Sequence, residues 1–598
     1  MTTDAAQLVS GWLSRFENAL ALDDIDAAVA GFATECWWRD LVAVTWNIKT
    51  LEGQPDIRAM LAATLASVRP NAFRIDGEAT AADGVTAAWF TFETSVARGN
   101  GHVRLRDGAC HTLFTSMHEL KGFEEKQGPT RDEGVEWGAL KGGRKTWLDQ
   151  RRQDEAELGV TSQPYCLIVG GGQGGIGLGA RLKRIGVPAL IIDAHERPGD
   201  AWRKRYKSLC LHDPVWYDHM PYLPFPEHWP VYTPKDKMGD WLEMYVRIME
   251  LPYWTSAPCV GAQFDEAKGE WTVRVDRAGE IVVLRPKHLV LATGMSGVPE
   301  MPAVKGMDRF TGTQHHSSAH PGGDAYAGQR CVVVGANNSA HDIAVDLWEH
   351  GATVTMIQRS STLVARASTL RRNGDVGLYS EAAVRRGVTA DKADLIGASL
   401  PYCLWPQVQT PVCEKLQRDD AEFYDRLRAV GFKLDFGDDG SGLGLKYHRR
   451  GSGYYIDVGG SELIASGDIG LRSGVDLAEI RERSVVLSNG EELPADLIVY
   501  ATGYGSMNGW AAKLISQEVA DKVGKCWGLG SGTTKDPGPW EGELRNMWKP
   551  TQQENLWFHG GNLAQSRHFS RYLALQLKAR LEGISTDVYG LAPVHHLS

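Results

Sequence analysis

Residues 165–193 read YCLIVGGGQGGIGLGARLKRIGVPALIID, and this stretch decides the fold. An apolar run over 165–169 has the length and composition of a buried strand and runs into Gly170-x-Gly172-x-x-Gly175. The glycines permit a tight turn and let backbone N–H groups approach a pyrophosphate, whose charge then sits at the N-terminus of the following helix. A second apolar strand ends at Asp193, about 18 residues past Gly175, where an acid is suited to accept from a ribose hydroxyl. A glycine-rich turn alone is weak evidence; strand, loop, helix, strand and terminal acid together predict a dinucleotide site.

Working outward, residues 329–360, QRCVVVGANNSAHDIAVDLWEHGATVTMIQRS, repeat the plan. Here Gly335 keeps the first glycine, Asn337 replaces the second and Ala340 the third. Asn tolerates a positive φ better than most residues, so the loop survives the change. The second strand ends in Arg359 and Ser360 instead of an acid, which suits the 2′-phosphate of NADP. Two further apolar strands end in the same tripeptide, HLVLATG at 288–294 and DLIVYATGYG at 496–505. They lie where the chain leaves one nucleotide fold and re-enters it. The expected class is α/β, with two Rossmann-like dinucleotide-binding domains, the NADP domain inserted in the FAD domain. Electrons would pass from NADPH to FAD.

The remaining sequence narrows the class. A chain of 598 residues needs several cores, and its 23% charged and 43% hydrophobic residues are those of a globular protein. The net charge of -10 argues against a nucleic-acid binder. No apolar run is long enough to span a membrane, and no secretory signal is evident. Nine scattered cysteines without C-x-x-C pairs predict reduced thiols, a cytoplasmic protein, no metal site and no disulfide-reductase chemistry. Residues 1–121 form a separate unit: helical spacing at Leu8, Trp12, Phe16 and Leu20, a short helix through Ile25, Val29 and Phe32, then strands parted by A-D-G and R-G-N-G turns. Residues 122–163 are a polar linker with a helix near its end. The expected boundaries beyond it are 164–294 for the first FAD segment, 295–497 for the NADP domain with an insertion, and 498–598 for the second FAD segment.

Residues 310–321, FTGTQHHSSAHP, join three histidines to two serines, yet no metal-ligand set or acid frames them. Their place between the first ATG and the second glycine loop predicts a connector hinging the two nucleotide domains. The stretch fits the pattern F-x-G-x-x-x-H with Phe310, Gly312 and His316, and NNSAHDIA (338–344 with its leading Asn337) and ATGY (501–504) accompany it. Together these motifs resemble class B flavin-dependent monooxygenases, in particular the flavin-containing monooxygenases. Residues 209–245 and YYIDVGGSELIASGDIGL (454–471) are similar to YUCCA-type members. The N-terminal unit resembles the nuclear-transport-factor-2-like (NTF2-like) α+β cone, with Asp40 as a candidate pocket acid and the unit a candidate homodimer surface or substrate lid.

The resemblance implies NADPH reduction of FAD, formation of a C4a-(hydro)peroxyflavin from molecular oxygen, and insertion of one oxygen atom into a small organic substrate, by N- or S-oxygenation or by YUCCA-like oxidative decarboxylation. Excluding water protects the oxidant. It implies that Gly170, Gly172, Gly175 and Asp193 hold FAD, and that Trp202, Arg203, His212 and Asp213 pass near the flavin. Gly335, Arg359, Ser360, Thr502 and Gly503 serve the cofactors, and Asn562, Leu563 and Gln565 approach the isoalloxazine. Asn338, Ser339 and His316 are the catalytic candidates. His320-Pro321 departs from the usual aromatic ending of the motif and keeps a Baeyer–Villiger monooxygenase open; the degraded second loop keeps a nucleotide-sensing scaffold open.

Overall fold

The computed structural model describes residues 2–594 except positions 136, 139, 140, 142, 296, 375 and 376. The N-terminal unit is a six-stranded sheet ordered Ile48–Glu52, Phe32–Leu41, Ala109–Leu120, Ala97–Arg106, Val85–Glu93 and Asn71–Ala82. Helices Thr2–Ala21, Ile25–Ala30 and Gly53–Val68 belong to the same unit, so Phe32 opens a strand instead of closing the second helix. The core forms where Trp12, Phe16, Phe32 and Trp38 meet as stacked and edge-on rings. The expected R-G-N-G turn is strand: a Cβ at Gly99 or Gly101 would run into the rings of Phe92 or Phe90 on the neighbouring strand. These glycines make room for aromatic rings across a strand pair, a use that composition alone cannot tell from a turn.

Asp40 is buried and accepts from Thr115 Oγ1 at 2.6 Å, Thr45 Oγ1 at 2.7 Å, and the amides of Thr45 at 2.9 Å and Val44 at 3.0 Å. Burial pushes its carboxyl up, against the pull of these bonds. It staples the turn after its own strand and is not a pocket acid.

The first nucleotide sheet is all parallel, in the order Leu556–Phe558, His288–Leu291, Cys166–Val169, Ala189–Ile192 and Tyr253–Trp254. The second, also parallel, runs Thr313–His316, Leu497–Tyr500, Arg330–Val334, Thr353–Gln358 and Gly470–Ser473. Every strand of the second sheet lies in sequence between His288–Leu291 and Leu556–Phe558 of the first. The expected cut before residue 498 falls inside Leu497–Tyr500, a central strand of the second sheet. The expected connector at 310–321 contains Thr313–His316, the edge strand of that same sheet.

Residues 367–450 add helices, including Glu381–Arg385, Ala390–Ala398 and Leu443–Arg450, between the paired strands Leu363–Arg366 and Tyr454–Asp457. The N-terminal unit docks on this insertion and on the C-terminal segment through Arg104, which donates to Ser399, and Asn47, which donates to the Tyr589 and Gly590 carbonyls. That face is therefore occupied within the chain. Among the described residues no helix is long and apolar enough to cross a membrane, and no group of three or more His, Cys, Asp or Glu could hold a metal ion.

Candidate functional site

The two glycine loops are built alike. Gly170 has φ +108° and donates to the Ile192 carbonyl at 2.9 Å, while Ala292 donates to the Val169 carbonyl at 2.8 Å. Gly335 has φ +130° and donates to the Ile357 carbonyl at 2.9 Å, while Ala501 donates to the Val334 carbonyl at 2.9 Å. A Cβ on Gly170 would overlap the Ala292 carbonyl, and one on Gly335 the Ala501 carbonyl. The recurring ATG is thus the surface on which each loop's first glycine rests. Gly175 is equally confined, by the Gly170 carbonyl; at the matching place of the second loop stands Ala340, fully buried.

Gly172 differs: its φ is -77°, and a Cβ would meet only Ala201, at 3.9 Å. Asn337 stands at its place with φ -103°, an ordinary extended value, so the substitution needs no tolerance of left-handed backbone. Helices Gln173–Arg184 and Asn338–Glu349 both start without a side-chain cap. Their free N–H groups form two cradles for anions. Gly171, a variable position of the pattern, is confined too, because a Cβ would strike the Tyr253 hydroxyl.

Asp193 accepts from the Gly171 amide at 2.6 Å, the His195 amide at 2.8 Å and His195 Nδ1 at 2.6 Å. Burial raises its pKa, but these bonds outweigh it and hold the carboxyl below its ordinary value. Arg359 and Ser360 are exposed at the end of Thr353–Gln358; Arg359 has one ion pair, to Asp476 at 3.3 Å. Such a surface pair contributes little and leaves the guanidinium free to turn to a phosphate.

The segment after residue 200 divides. Trp202 Nε1 donates to Gln173 Oε1 at 3.2 Å and so stays beside the first loop. Arg203 turns away into pairs with Asp200, Asp240 and Glu243. His212 crosses to the second nucleotide unit, 3.4 Å from Asp342, which also accepts from the Tyr206 hydroxyl at 2.6 Å. Burial works against charge on His212, but Asp342 raises its pKa overall. Asn338 Oδ1 accepts from the Ile456 amide at 2.9 Å, and Ser339 lies half-buried in the first turn of the same helix. Asp213 is pushed up by burial.

His316 is fixed by its neighbours. The Ser318 amide donates to Nδ1 at 3.1 Å, so Nε2 carries the proton and donates to the Gly503 carbonyl at 3.0 Å. Burial, partly offset by that bond, lowers its pKa and keeps it neutral. Thr502 donates to the Glu300 carbonyl at 2.6 Å. His316 and Thr502 therefore shape the turn after the second ATG. His320 is enclosed, bonded to His315 at 3.0 Å and stacked on Tyr326.

At the start of the C-terminal helix Leu563–Leu581, Asn562 and Gln565 form a capping box. Asn562 donates to the Tyr217 hydroxyl at 3.2 Å, and the Tyr447 hydroxyl donates to Gln565 Oε1 at 2.8 Å. Leu563 instead packs in the core of the first nucleotide unit. One turn on, buried Arg567 pairs with Asp394 through bonds of 2.8 and 2.7 Å and donates to the carbonyls of Tyr217 and His219.

Residues 167–376 match the model of the pyridine nucleotide-disulphide oxidoreductase family. All nine cysteines are free. The chain is similar to indole-3-pyruvate monooxygenase YUCCA1 of Oryza sativa subsp. japonica, 30% identical over 374 residues, covering 60% of this chain and 82% of the relative. The chain belongs to the class B flavin-dependent monooxygenases. Probable indole-3-pyruvate monooxygenase YUCCA9 of Arabidopsis thaliana is 28% identical over 351 residues, covering 57% of this chain and 75% of the relative. In fold, the monooxygenase is similar to cyclohexanone monooxygenase with ε-caprolactone bound: TM-score 0.51, 17% identity, 70% of this chain and 88% of that one.

The residues present fit FAD and NADPH, the cofactors the sequence points to. Gly172 leaves the first cradle open, the Thr293 hydroxyl beside it is buried without a partner, and both helix starts offer free amides. Reading the sequence missed Tyr217, Tyr447, His448 and the Arg567–Asp394 pair, because their partners lie far away in the chain. Arg567→Met should leave a buried carboxylate and two carbonyls short of donors and cost about 3–5 kcal/mol. Thermal denaturation and limited proteolysis within 367–450 would show it. Arg567→Met with Asp394→Leu should recover most of the loss.

Proposed function

We propose that this monooxygenase acts on a 2-oxo acid with a flat aromatic side chain, converting it to the acid one carbon shorter. The balance is one 2-oxo acid, NADPH, a proton and dioxygen giving one carboxylic acid, carbon dioxide, NADP+ and water. The observation that carries this reading is the 30% identity across 82% of a relative named for indole-3-pyruvate. The aromatic surroundings suit a flat molecule: Tyr217 meets Tyr379 edge-on at 4.7 Å, and Tyr447 meets Trp527 at 5.3 Å.

FAD, reduced by NADPH, supplies the activation of dioxygen. The chain's own residues bind, orient and exclude water. Gly170, Gly172 and Gly175 with the first helix start would hold the FAD pyrophosphate, and Asp193, its loop already fixed, would accept from a ribose hydroxyl. Gly335 and the helix start at Asn338 and Ser339 would hold NADP+, and His316 would keep the adjoining turn in place through Gly503. Asn562 and Gln565, closed over by Tyr217 and Tyr447, would shield the flavin side from water. The Baeyer–Villiger alternative drew on His320-Pro321; His320 is only 3% exposed inside the second unit, where His315 and Tyr326 enclose it, which favours the decarboxylating reading. The free thiols suit the reducing cytoplasm. A homodimer through the N-terminal unit would have to use a face other than the one docked on the insertion.

The test is turnover under 18O2 with a panel of aromatic 2-oxo acids, ketones and sulfides. The expected result is one 18O in the product carboxylate, carbon dioxide release and near-equal product and NADPH oxidised. Peroxide release unaffected by every 2-oxo acid, but suppressed by a ketone or sulfide, would sink the substrate assignment. Arg359→Ala should raise the KM for NADPH roughly tenfold or more, the scale of a lost charge-assisted hydrogen bond, with the NADH value little changed. Equal changes would remove the phosphate role.

A further inference from the structure

The N-terminal unit sends a buried cation into the body of the enzyme. Arg39 is 1% exposed and grips Glu543 bidentately, at 2.7 and 2.8 Å. Its Nη1 donates to the carbonyls of Ala398 at 2.8 Å and Leu400 at 3.2 Å, in the insertion, and its guanidinium lies 4.5 Å from the Tyr402 ring centre. The contacts continue inward. Tyr402 packs on the His448 ring at 4.8 Å, and Trp405 packs on the same ring at 4.8 Å.

His448 has only one tautomer open to it. Nδ1 faces the Gly444 carbonyl at 2.7 Å and must donate, so Nε2 accepts, from Gln565 Nε2 at 3.3 Å. That contact orients the Gln565 amide, turning its oxygen toward the Tyr447 hydroxyl and the Asn562 amide. We infer that Arg39 is a positioning residue for the flavin side of the site, acting through Tyr402 and His448 on Gln565 and Asn562. The inference rests on the reading that Asn562 and Gln565 face the flavin. It gives the N-terminal unit a role in the reaction: holding the insertion so that the start of the C-terminal helix keeps one hydrogen-bonding arrangement.

The test uses the full-length holoenzyme and readouts that need no substrate: the FAD dissociation constant, the visible spectrum of the bound flavin, and peroxide released per NADPH oxidised. Arg39→Met and His448→Leu are each expected to weaken FAD binding about fivefold or more, the usual scale of coupling between connected groups, and to shift the flavin spectrum. The double variant should lose no more than the worse single, because both cut one path. Arg104→Met removes another docking contact, to Ser399, and should lower the melting temperature without touching the flavin. Should Arg39→Met fail to fold, Arg39→Lys keeps the charge but not the fork and should show the same direction, smaller. Arg39→Met behaving like Arg104→Met, or effects that multiply in the double variant, would overturn the inference. Gln565→Leu locates the fault: if it too leaves the flavin unchanged, the placement of the helix start fails and this inference with it. If Gln565→Leu alone changes the flavin, only the path from Arg39 fails.

Discussion

Gly172→Ala should give a folded protein that holds FAD roughly tenfold or more weakly, a loss of about 1.4 kcal/mol or more, whereas Gly170→Ala should not reach the native fold. The two positions stand two residues apart and differ in what surrounds them. Gly170 is left-handed at φ +108°, and a side chain there would overlap the Ala292 carbonyl. Neither partner has room to move, since Gly170 is bonded to Ile192 and Ala292 to Val169, in adjacent strands of one sheet. Backbone strain of about 1–3 kcal/mol comes before any overlap is counted. Gly172 has an ordinary φ of -77° and open space in front of it. A methyl group there disturbs nothing in the protein and intrudes only on what the cradle binds. Thermal denaturation separates the two, and FAD titration of the Gly172→Ala apoprotein gives the affinity. A Gly172→Ala protein with native FAD affinity would mean that the pyrophosphate does not lie against this turn. By the same geometry Gly335→Ala, against Ala501, should disrupt the second unit.

The two nucleotide units were legible because their determinants are local. Strand, glycine turn, helix and strand follow one another within about 30 residues, the length of a βαβ unit. What failed was non-local. R-G-N-G has the composition of a turn, but Gly99 and Gly101 are strand residues that accommodate Phe92 and Phe90. TQHH (313–316) shows no apolar alternation, since it is an edge strand whose partner is Leu497–Tyr500. Asp40 looked like a pocket acid because nothing in the sequence reveals that Thr45 and Thr115 consume its lone pairs. In the candidate site, the glycines and the Asn562–Gln565 helix start could be named from the sequence. The tyrosines and the ion pair that enclose them could not, since the Arg567–Asp394 contact joins the C-terminal helix to an inserted one. Arg203 shows the converse: a family position near the flavin is drawn instead into ion pairs with Asp200, Asp240 and Glu243, none of which its place in the sequence reveals.

Acid should unfold this protein early, with the melting temperature flat from pH 8 to 7 and falling steeply below about pH 6.5, the ordinary histidine pKa. Burial pushes His102 and His288 down to about 3, and His320, His341, His448 and His559 down to about 4. All six are buried. Their folded values lie below the unfolded one, so the native state binds fewer protons and its stability falls as the pH drops from 6.5 toward 4. At pH 5 each such histidine costs about 2 kcal/mol, and six together on the order of 12 kcal/mol, comparable to the whole stability of a domain. His195, His212 and His350 oppose this, because Asp193, Asp342 and the Asp346 carbonyl raise their values, but three raised histidines do not balance six depressed ones. His341 offers a single-site check. Its ring stacks on Tyr455 at 3.9 Å, its Nε2 has no partner, and its Nδ1 lies 3.2 Å from the Asn337 carbonyl at the second glycine loop. His341→Phe keeps the stack and removes the titration, so proton uptake on acid unfolding should drop by about one proton, and the NADPH site should persist to lower pH. Calorimetry in two buffers of different ionisation heat measures the uptake. A melting temperature that stays level down to pH 4 would mean that these histidines are not held neutral in the fold.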